Sequence, residues 1–158
     1  VNGKAVEADL DANKGYLPVK NIKKGDVIRI HFDMPVRTVV ANNKVADDKG
    51  KVAVERGPLV YCAEAVDNSN EPVLRAVVAK KPTFTLVDNY SIQNTETKGA
   101  PAFSVKAIKT DAQVLEEGAN GISVKNDKLT LIPYYAWNHR GANEMNVWFI
   151  QNLSMLDK

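Results

Sequence analysis

Residues 51–65 read KVAVERGPLVYCAEA, two apolar stretches separated by a short interruption. From Lys51 to Glu55, apolar and polar side chains alternate with the period of two that is typical of a half-buried strand. Arg56-Gly57-Pro58 ends this pattern, because glycine and proline commonly interrupt regular elements. Leu59 to Ala65 is more continuously apolar, as in a strand buried on both faces. The stretch therefore predicts two consecutive β-strands.

Similar patterns continue upstream at intervals of 8–12 residues. The clearest alternation is IRIHFDM at residues 28–34, where one face holds Ile28, Ile30, Phe32 and Met34. Pro35 removes a backbone donor and should end or bend this strand. Val36 to Val40 then forms another apolar stretch before a turn at Asn42-Asn43. We expect a strand at each of these places.

The second half of the chain has shorter apolar runs. They lie at residues 73–79, 83–87, 103–108, 122–124, 129–131 and 146–151, and Asn126-Asp127 suggests a hairpin between two of them. Residues 111–117 could hold one helical turn. Without an internal repeat or a heptad pattern, about nine to eleven short strands predict an all-β, antiparallel sandwich of the jelly-roll or immunoglobulin-like kind.

The domain organisation is predicted from two turn-rich stretches. Asn2-Gly3 favours a two-residue hairpin turn, since both residues readily adopt positive φ angles. Only one residue precedes this turn, which predicts a chain cut from a longer one. The polar stretch at residues 67–72 is the expected internal boundary. We therefore predict two packed units: residues 1–68, the remainder of a first β-sandwich truncated at its N-terminus, and residues 69–158, a second sandwich.

Composition excludes several functional classes. The net charge is +2, and the five arginines are scattered singly, whereas nucleic-acid-binding proteins cluster their basic residues on one face. The sequence has no apolar run near the roughly 18 residues of a membrane span. The lone Cys62 lies in an apolar run without a cationic neighbour in sequence, which predicts a buried hydrophobic residue instead of a reactive thiol. We expect neither a nucleic-acid nor a membrane partner.

The usual catalytic and metal-binding motifs are missing from the sequence. His31 and His139 lie far apart, and neither has a second ligand at metal-binding spacing. There is no Gly-x-Ser-x-Gly nucleophile motif and no glycine-rich phosphate loop. We therefore predict no catalytic residue, no metal ligand and no cofactor in these 158 residues.

One window is enriched in aromatic residues. Residues 134–149 contain five of the eleven aromatic side chains and surround the polar loop Asn138-His139-Arg140-Gly141. Aromatic faces stack on sugars while Asn and Arg bond hydroxyls, so one interpretation is a carbohydrate-binding surface. The other interpretation is two packed core strands, with Arg140 tying down the loop or a domain contact. Both remain open, and the candidate residues for a carbohydrate site or domain interface are Tyr134, Tyr135, Trp137, Asn138 and Arg140.

Three longer motifs carry a family resemblance. They are MPVR at residues 34–37, KVAVERGPLVYCAE at residues 51–64, and LIPYYAWNHRG at residues 131–141 followed by Glu144-Met145 and Val147-Trp148. With VNGK at residues 1–4 and GYLPV at residues 15–19, they resemble the C-terminal region of glycoside hydrolase family 127, the β-L-arabinofuranosidase family once labelled a domain of unknown function.

The resemblance implies that catalysis lies in a different domain from the region that this sequence resembles. In that family a helical barrel carries catalysis, with a cysteine nucleophile and a zinc site, and β-sandwich domains follow it. No position here matches those catalytic motifs, so Cys62 is not implied to be the nucleophile, and zinc is expected only in the barrel. The resemblance implies an accessory segment that supports the family's upstream barrel and has possible homodimer contacts. Its alternatives are a module for plant-type arabinose-containing glycans and a protein-interaction sandwich.

Overall fold

The computed structural model describes residues 1–7, 14–79, 81–92, 100–110 and 124–151. Within these ranges the secondary structure consists of β-strands and three short 3-10 helices, Ala46–Asp48, Ala65–Asp67 and Tyr134–Ala136, and there is no α-helix. The strands are β1 Val36–Val39, β2 Lys51–Arg56, β3 Leu59–Glu64, β4 Val77–Val78, β5 Phe84–Tyr90, β6 Ala100–Thr110, β7 Val124–Pro133, β8 Met145–Asn146 and β9 Phe149–Ile150. The predicted all-β class and β-sandwich architecture are confirmed.

Strand pairing links all nine strands in one mixed sheet with the order β1-β2-β9-β4-β6-β7-β3-β8, while β5 pairs with β6 and β2 also pairs with β3. The longest ladder joins β6 and β7, from Phe103 opposite Leu131 to Thr110 opposite Val124. Among the described pairings only β4 with β9 is parallel. Because antiparallel neighbours can follow one another through short turns, this arrangement suits a chain of many short strands.

The two predicted strands of residues 51–65 are β2 and β3. They form a hairpin in which Arg56 pairs with Leu59, so Gly57 and Pro58 are the two loop residues. Gly57 has a φ of +55°, and proline cannot adopt a positive φ at the second position. This combination is the type II′ turn, whose twist matches that of the flanking strands.

Two apolar clusters lie against these strands. The larger one contains buried side chains from β2, β3, β4, β7 and β9, among them Val54, Tyr61, Leu131 and Phe149. The smaller one contains Cys62 and Ile132 together with Ile92, Ala102 and Ala136. Successive residues of β3 and of β7 thus enter different clusters, since neighbouring side chains of a strand point to opposite faces. Burial on both faces explains the apolar run from Tyr61 to Ala65, whereas Val60 near the start of β3 is exposed.

The chain divides into two compact units, Val1–Asp33 and Met34–Lys158. The predicted boundary between residues 68 and 69 stays a prediction for the whole protein, but in the described residues strands on either side of it pair, β3 with β7 and β8. Asn68 is buried, and it exchanges hydrogen bonds with Thr130 of β7 and donates to the Glu64 carbonyl oxygen. The polar residues of this stretch thus include one that joins two strands. The prediction of two sandwich units is not confirmed.

The turn predicted at Asn2-Gly3 is confirmed by its geometry. Asn2 and Gly3 have φ angles of 51° and 79°, and Lys4 N donates to the Val1 oxygen over 2.9 Å. These are the positive angles that a type I′ turn requires.

The predicted strand at residues 28–34 is wrong for this structure. These residues lie outside regular secondary structure, and Ile28, Ile30 and Phe32 are exposed. A strand is held by hydrogen bonds to a neighbour, and no described strand pairs with this segment.

Two further strand predictions differ from the structure for reasons of pairing. The hairpin expected at Asn126-Asp127 is absent, because both residues lie inside β7 and pair with Ile108 and Ala107 of β6. The single strand expected at residues 146–151 is two short strands, β8 and β9, separated by Val147 and Trp148.

The helical turn predicted at residues 111–117 and the apolar run predicted at residues 122–123 lie outside the described residues. Among the residues that the structure describes, no helix has the length and apolar character needed to cross a membrane.

Candidate functional site

The predicted aromatic residues lie directly after β7. The 3-10 helix Tyr134–Ala136 begins where Pro133 ends the strand, and its last residue, Ala136, is buried. Tyr134 and Tyr135 remain 43% and 56% exposed, whereas Trp137 is half-buried and packs against the smaller cluster. The Tyr134 and Trp137 ring centroids are 5.8 Å apart, with the rings tilted by 36°. Tyr134, Tyr135 and Trp137 are called the aromatic surface below.

The Arg140 side chain, unlike those of Tyr134 and Tyr135, points into the protein. Its side chain is 4% exposed and lies between two carboxylates, Glu64 at the end of β3 and Asp67 in the 3-10 helix that follows. Arg140 Nη1 donates to Asp67 Oδ1 over 2.6 Å, and Nη2 donates to Asp67 Oδ2 and Glu64 Oε2. The planar guanidinium matches the Asp67 carboxylate with two parallel bonds, a geometry that lysine cannot reproduce.

Neutral donors complete this cluster. Glu64 Oε1 accepts from the Asn138 backbone N–H over 3.2 Å and from Asn143 Nδ2 over 3.1 Å, and the Tyr90 hydroxyl donates to Asp67 Oδ1. The ionised cluster holds two negative charges and one positive charge, so these donors stabilise the carboxylate charge that Arg140 does not balance. Arg140, Glu64, Asp67, Tyr90 and Asn143 are called the Arg140 cluster below.

The surroundings of Arg140 and Tyr90 shift the pKa values of both groups upwards. Hydrogen bonds from Arg140 to Asp67 and then to Glu64 raise the pKa of the guanidinium above its already high value, although burial opposes this. Burial raises the pKa of Tyr90, and its hydrogen bond to Asp67 raises it further. Arg140 therefore stays a cation and Tyr90 stays a neutral donor at physiological pH, so the cluster holds the loop at residues 137–143 on β3.

The sequence-predicted site residues thus separate into two groups. Tyr134 and Tyr135 are exposed and Trp137 is partly so, while Arg140 and the Asn138 backbone serve the buried cluster. A role in sugar binding or in a domain interface stays a prediction for all five. Sequence reasoning missed Glu64, Asp67, Tyr90 and Asn143 as partners. The available signal was Glu64 at the end of an apolar run, since a buried carboxylate requires a partner.

Cys62 lies beside this cluster and is fully buried in β3. Burial raises the pKa of its thiol to about 12, and the negative charges of Glu64 and Asp67 act in the same direction. The thiolate is the reactive form of cysteine, so the folded protein holds this residue in an inert state. Its structure agrees with the prediction of a buried hydrophobic residue.

We expect Cys62 not to react with a thiol-specific disulfide reagent at pH 8 until the chain is unfolded in denaturant. The unfolded chain loses the thiol proton near pH 9 and the folded protein only near pH 12, so the unfolded state binds fewer protons between these values. The free energy of unfolding should therefore fall as the pH rises from 9 to 12, and Cys62→Ala should remove this part of the decrease. Rapid labelling of native protein would contradict the expectation.

The described histidines and the cysteine lie in separate surroundings. Within the described ranges, no group of three or more His, Cys, Asp or Glu side chains is placed to hold a metal ion. His31 is paired with Asp33 at 3.2 Å on the surface, and His139 is exposed. Cys62 is a neutral thiol, whereas zinc binds the thiolate.

The arrangement of strands, two apolar clusters and a buried ion cluster defines a β-sandwich domain whose buried ionic groups hold a loop in place. Comparison with known proteins identifies its family. The family model for the glycoside hydrolase family 127 C-terminal domain matches residues 36–150, and the chain belongs to this family. The resemblance in the three motifs is confirmed.

Individual relatives are similar over most of this chain. A non-reducing end β-L-arabinofuranosidase from Bifidobacterium longum subsp. longum is 34% identical over 154 residues, which are 94% of this chain and 23% of that protein. A solved GH127 β-arabinofuranosidase is 41% identical with a TM-score of 0.78, covering 97% of this chain and 23% of the other. Ara127N-Se, a GH127 β-L-arabinofuranosidase from Geobacillus stearothermophilus T6, is 28% identical with a TM-score of 0.64, covering 77% and 19%. The chain spans about a quarter of the length of the Bifidobacterium protein and of the solved GH127 β-arabinofuranosidase.

Proposed function

We propose that this chain is a non-catalytic β-sandwich segment of a longer β-L-arabinofuranosidase-like glycoside hydrolase and that it supports the helical catalytic barrel. The observation that carries the proposal is the Arg140 cluster. Its two carboxylates have side chains 0% and 2% exposed, and both are bonded to the same guanidinium. The names of the relatives support a hydrolase as the longer polypeptide, and the chain's share of their length supports an accessory position.

We infer that Glu64 and Asp67 are not a catalytic pair, because their arrangement differs from that of the carboxyl groups in most glycosidases. Most glycosidases use two carboxyl groups on opposite sides of the scissile bond, and a sugar must fit between them. In this chain Arg140 occupies the space between Glu64 and Asp67. The hydrogen bonds of Glu64 and Asp67 instead attach the loop after β7 to β3 and to the 3-10 helix that follows it, which supports a structural role for the cluster.

The test is hydrolysis by the purified 158-residue chain. We expect no release of product from 4-nitrophenyl arabinofuranosides or from arabinose-containing oligosaccharides, with or without added zinc. The longer natural polypeptide that contains the chain should hydrolyse β-L-arabinofuranosides under the same conditions. Zinc-dependent turnover by the 158-residue chain would overturn the non-catalytic assignment, and an inactive longer polypeptide would overturn the proposed substrate.

A second candidate function, carbohydrate binding, is favoured by the exposure of Tyr134 and Tyr135. Two neighbouring rings on a 3-10 helix offer an apolar face to a sugar, and the loop beside them is held by the buried Arg140. A pre-organised surface loses little entropy on binding. Contact with another domain or with a second copy of the chain would use the same rings, so measurement must separate these roles.

For the carbohydrate-binding candidate we expect saturable calorimetric binding of arabinose-containing oligosaccharides that is lost in Tyr135→Ala. Stacking of a nucleic-acid base on an aromatic side chain is worth about 1–3 kcal/mol, and losing a contact of similar size to a sugar would abolish weak binding. Tyr16→Ala is the matched control, because Tyr16 is 78% exposed and lies outside this surface. Equal binding by both variants, or no binding by the parent chain, would remove carbohydrate binding from the candidates.

A further inference from the structure

Asn2 is followed directly by Gly3 in a turn whose backbone is held by hydrogen bonds. Lys4 N donates to the Val1 oxygen across the turn, and Asn2 N donates to the Val27 oxygen over 2.9 Å. All of these residues belong to the unit Val1–Asp33. An asparagine before a glycine is chemically labile, because glycine has no β-carbon and leaves its backbone nitrogen open to the asparagine side chain.

The reaction available to this pair is deamidation. The Gly3 backbone nitrogen loses its proton to a base in solution and attacks the Asn2 side-chain carbonyl carbon, and the new C–N bond closes a succinimide ring. The bond from that carbon to Nδ2 breaks, and the nitrogen takes up a proton and leaves as ammonia. Water then adds to one of the two ring carbonyl groups and opens the ring, which leaves aspartate or isoaspartate at position 2. Water is the one co-reactant that is consumed.

The Asn2 side-chain amide is bonded at both of its polar atoms. Its Oδ1 accepts from the Val27 backbone N–H over 2.9 Å, and its Nδ2 donates to Asp26 Oδ1 over 2.9 Å. Because Nδ2 is the atom that leaves in deamidation, the hydrogen bond to Asp26 must break before ammonia can depart. The folded unit therefore opposes the reaction at the leaving group itself.

Asp26 is in turn held in place by its own turn. The Lys23 backbone N–H donates to Asp26 Oδ2 over 2.7 Å, and Asp26 N donates to the Lys23 oxygen over 3.1 Å. The hydrogen bond from Asn2, followed by that from Lys23, lowers the pKa of Asp26, so this carboxyl group is ionised at neutral pH. A hydrogen bond to an ionised acceptor is stronger than one between neutral groups. Asp26 is thus a fixed, charged acceptor for the Asn2 amide.

From these contacts we propose that Asn2 is a deamidation site of this protein and that Asp26 controls its rate by holding the amide nitrogen that leaves. The inference uses hydrogen bonds within the unit Val1–Asp33 and does not rest on the proposed function. The product cannot restore the lost contact, since a carboxylate at position 2 has no N–H to donate. It would instead place a second negative charge beside Asp26, and like charges at this distance repel.

The test follows deamidation of Asn2 by peptide mass spectrometry while the 158-residue chain is incubated at pH 8, in native buffer and in guanidinium chloride. We expect the reaction to be slower by about tenfold or more in the folded chain, because two side-chain hydrogen bonds must open first. In native buffer Asp26→Ala should raise the rate by about threefold or more, since one of these bonds is lost. Asp26→Asn keeps an oxygen acceptor and should raise the rate less.

Two controls separate the role of Asp26 from general effects of substitution. Asp33→Ala removes a carboxylate of the same unit that is paired with His31, and it should leave the rate at Asn2 unchanged. The sequence also contains Asn120-Gly121, whose deamidation is measured on a separate peptide and should be the same in Asp26→Ala and in the parent chain. If Asp26→Ala does not fold, the comparison uses Asp26→Asn, whose rate should lie between those of the native and denatured parent chain.

Equal rates at Asn2 in the native and denatured parent chain would overturn the proposal, because the fold would then not control the reaction. An Asp26→Ala chain that reacts no faster than Asp33→Ala would also overturn it. Slow reaction in the native parent chain together with selective acceleration at Asn2 in Asp26→Ala is the expected result. Equal acceleration at Asn2 and Asn120 would show general opening of the chain and would refute a specific role of Asp26.

Discussion

Replacing Arg140 with methionine is expected to lower the free energy of unfolding of the 158-residue chain by about 3–5 kcal/mol, the usual cost of breaking a buried ion pair from one side. Methionine keeps much of the length and apolar surface of the side chain. It leaves Glu64 and Asp67 buried without their cation, and the loop at residues 137–143 loses its attachment to β3. Urea-induced unfolding followed by tryptophan fluorescence measures the change, because Trp137 lies in this loop.

Arg37→Met is the matched control for this experiment. Arg37 donates to Glu55 over 2.9 Å across β1 and β2, but its side chain is 64% exposed. Exposed ion pairs contribute only about 0–1 kcal/mol, since water screens the charges. Similar losses of stability in the two variants would contradict a special role for the buried cluster. Replacing all three charges at once, in Arg140→Met with Glu64→Gln and Asp67→Asn, should recover part of the loss, because no unpaired charge would remain.

Phe149→Ala is expected to cost about 3–5 kcal/mol, the range observed for removing a buried aromatic ring. Phe149 is 0% exposed in the larger cluster, and it lies opposite Val52 where β9 pairs with β2. Truncation leaves a cavity and weakens a strand of only two residues. Thermal unfolding measured by circular dichroism should therefore show a lower midpoint for Phe149→Ala. The midpoint of Phe149→Leu should lie between those of the alanine variant and the parent chain.

The matched control is Phe32→Ala, which removes the same ring from a side chain that is 70% exposed. In the 158-residue chain we expect a change within about 0.5 kcal/mol, as for other surface substitutions. A loss comparable to that of Phe149→Ala would mean that Phe32 is covered in solution. Equal tolerance of both changes would mean that the larger cluster does not hold the domain together.

Much of the local structure could be predicted because it depends on neighbouring residues. The alternation at residues 51–55, the Gly57-Pro58 interruption and the apolar run after it are sufficient for β2, the turn and β3. Asn2-Gly3 predicts its own turn for the same reason, since positive φ angles are a property of these two residues. The family resemblance also follows from sequence strings alone, and its residues 36–150 are the part that the family model matches.

The candidate site was predictable only in part. An enrichment in aromatic residues at 134–149 is visible in the sequence, but exposure is not, and the structure separates the exposed Tyr134 and Tyr135 from the buried Phe149. The partners of Arg140 lie more than seventy positions earlier in the chain. No local pattern reports such a contact, because it is made by the pairing of β3 with β7 and β8.

The sequence by itself determined the all-β class, the β2–β3 hairpin, the Asn2-Gly3 turn, the inert setting of Cys62 and the family. Only the tertiary structure decided that Asn68 joins two strands instead of marking an open boundary, and that Arg140 is buried between Glu64 and Asp67. It also decided that residues 28–33, which have the clearest strand pattern, belong to none of the strands in the described part of the chain. The physical reason is that periodicity selects which side chains share a face, whereas a strand exists only when another segment supplies hydrogen bonds to its backbone.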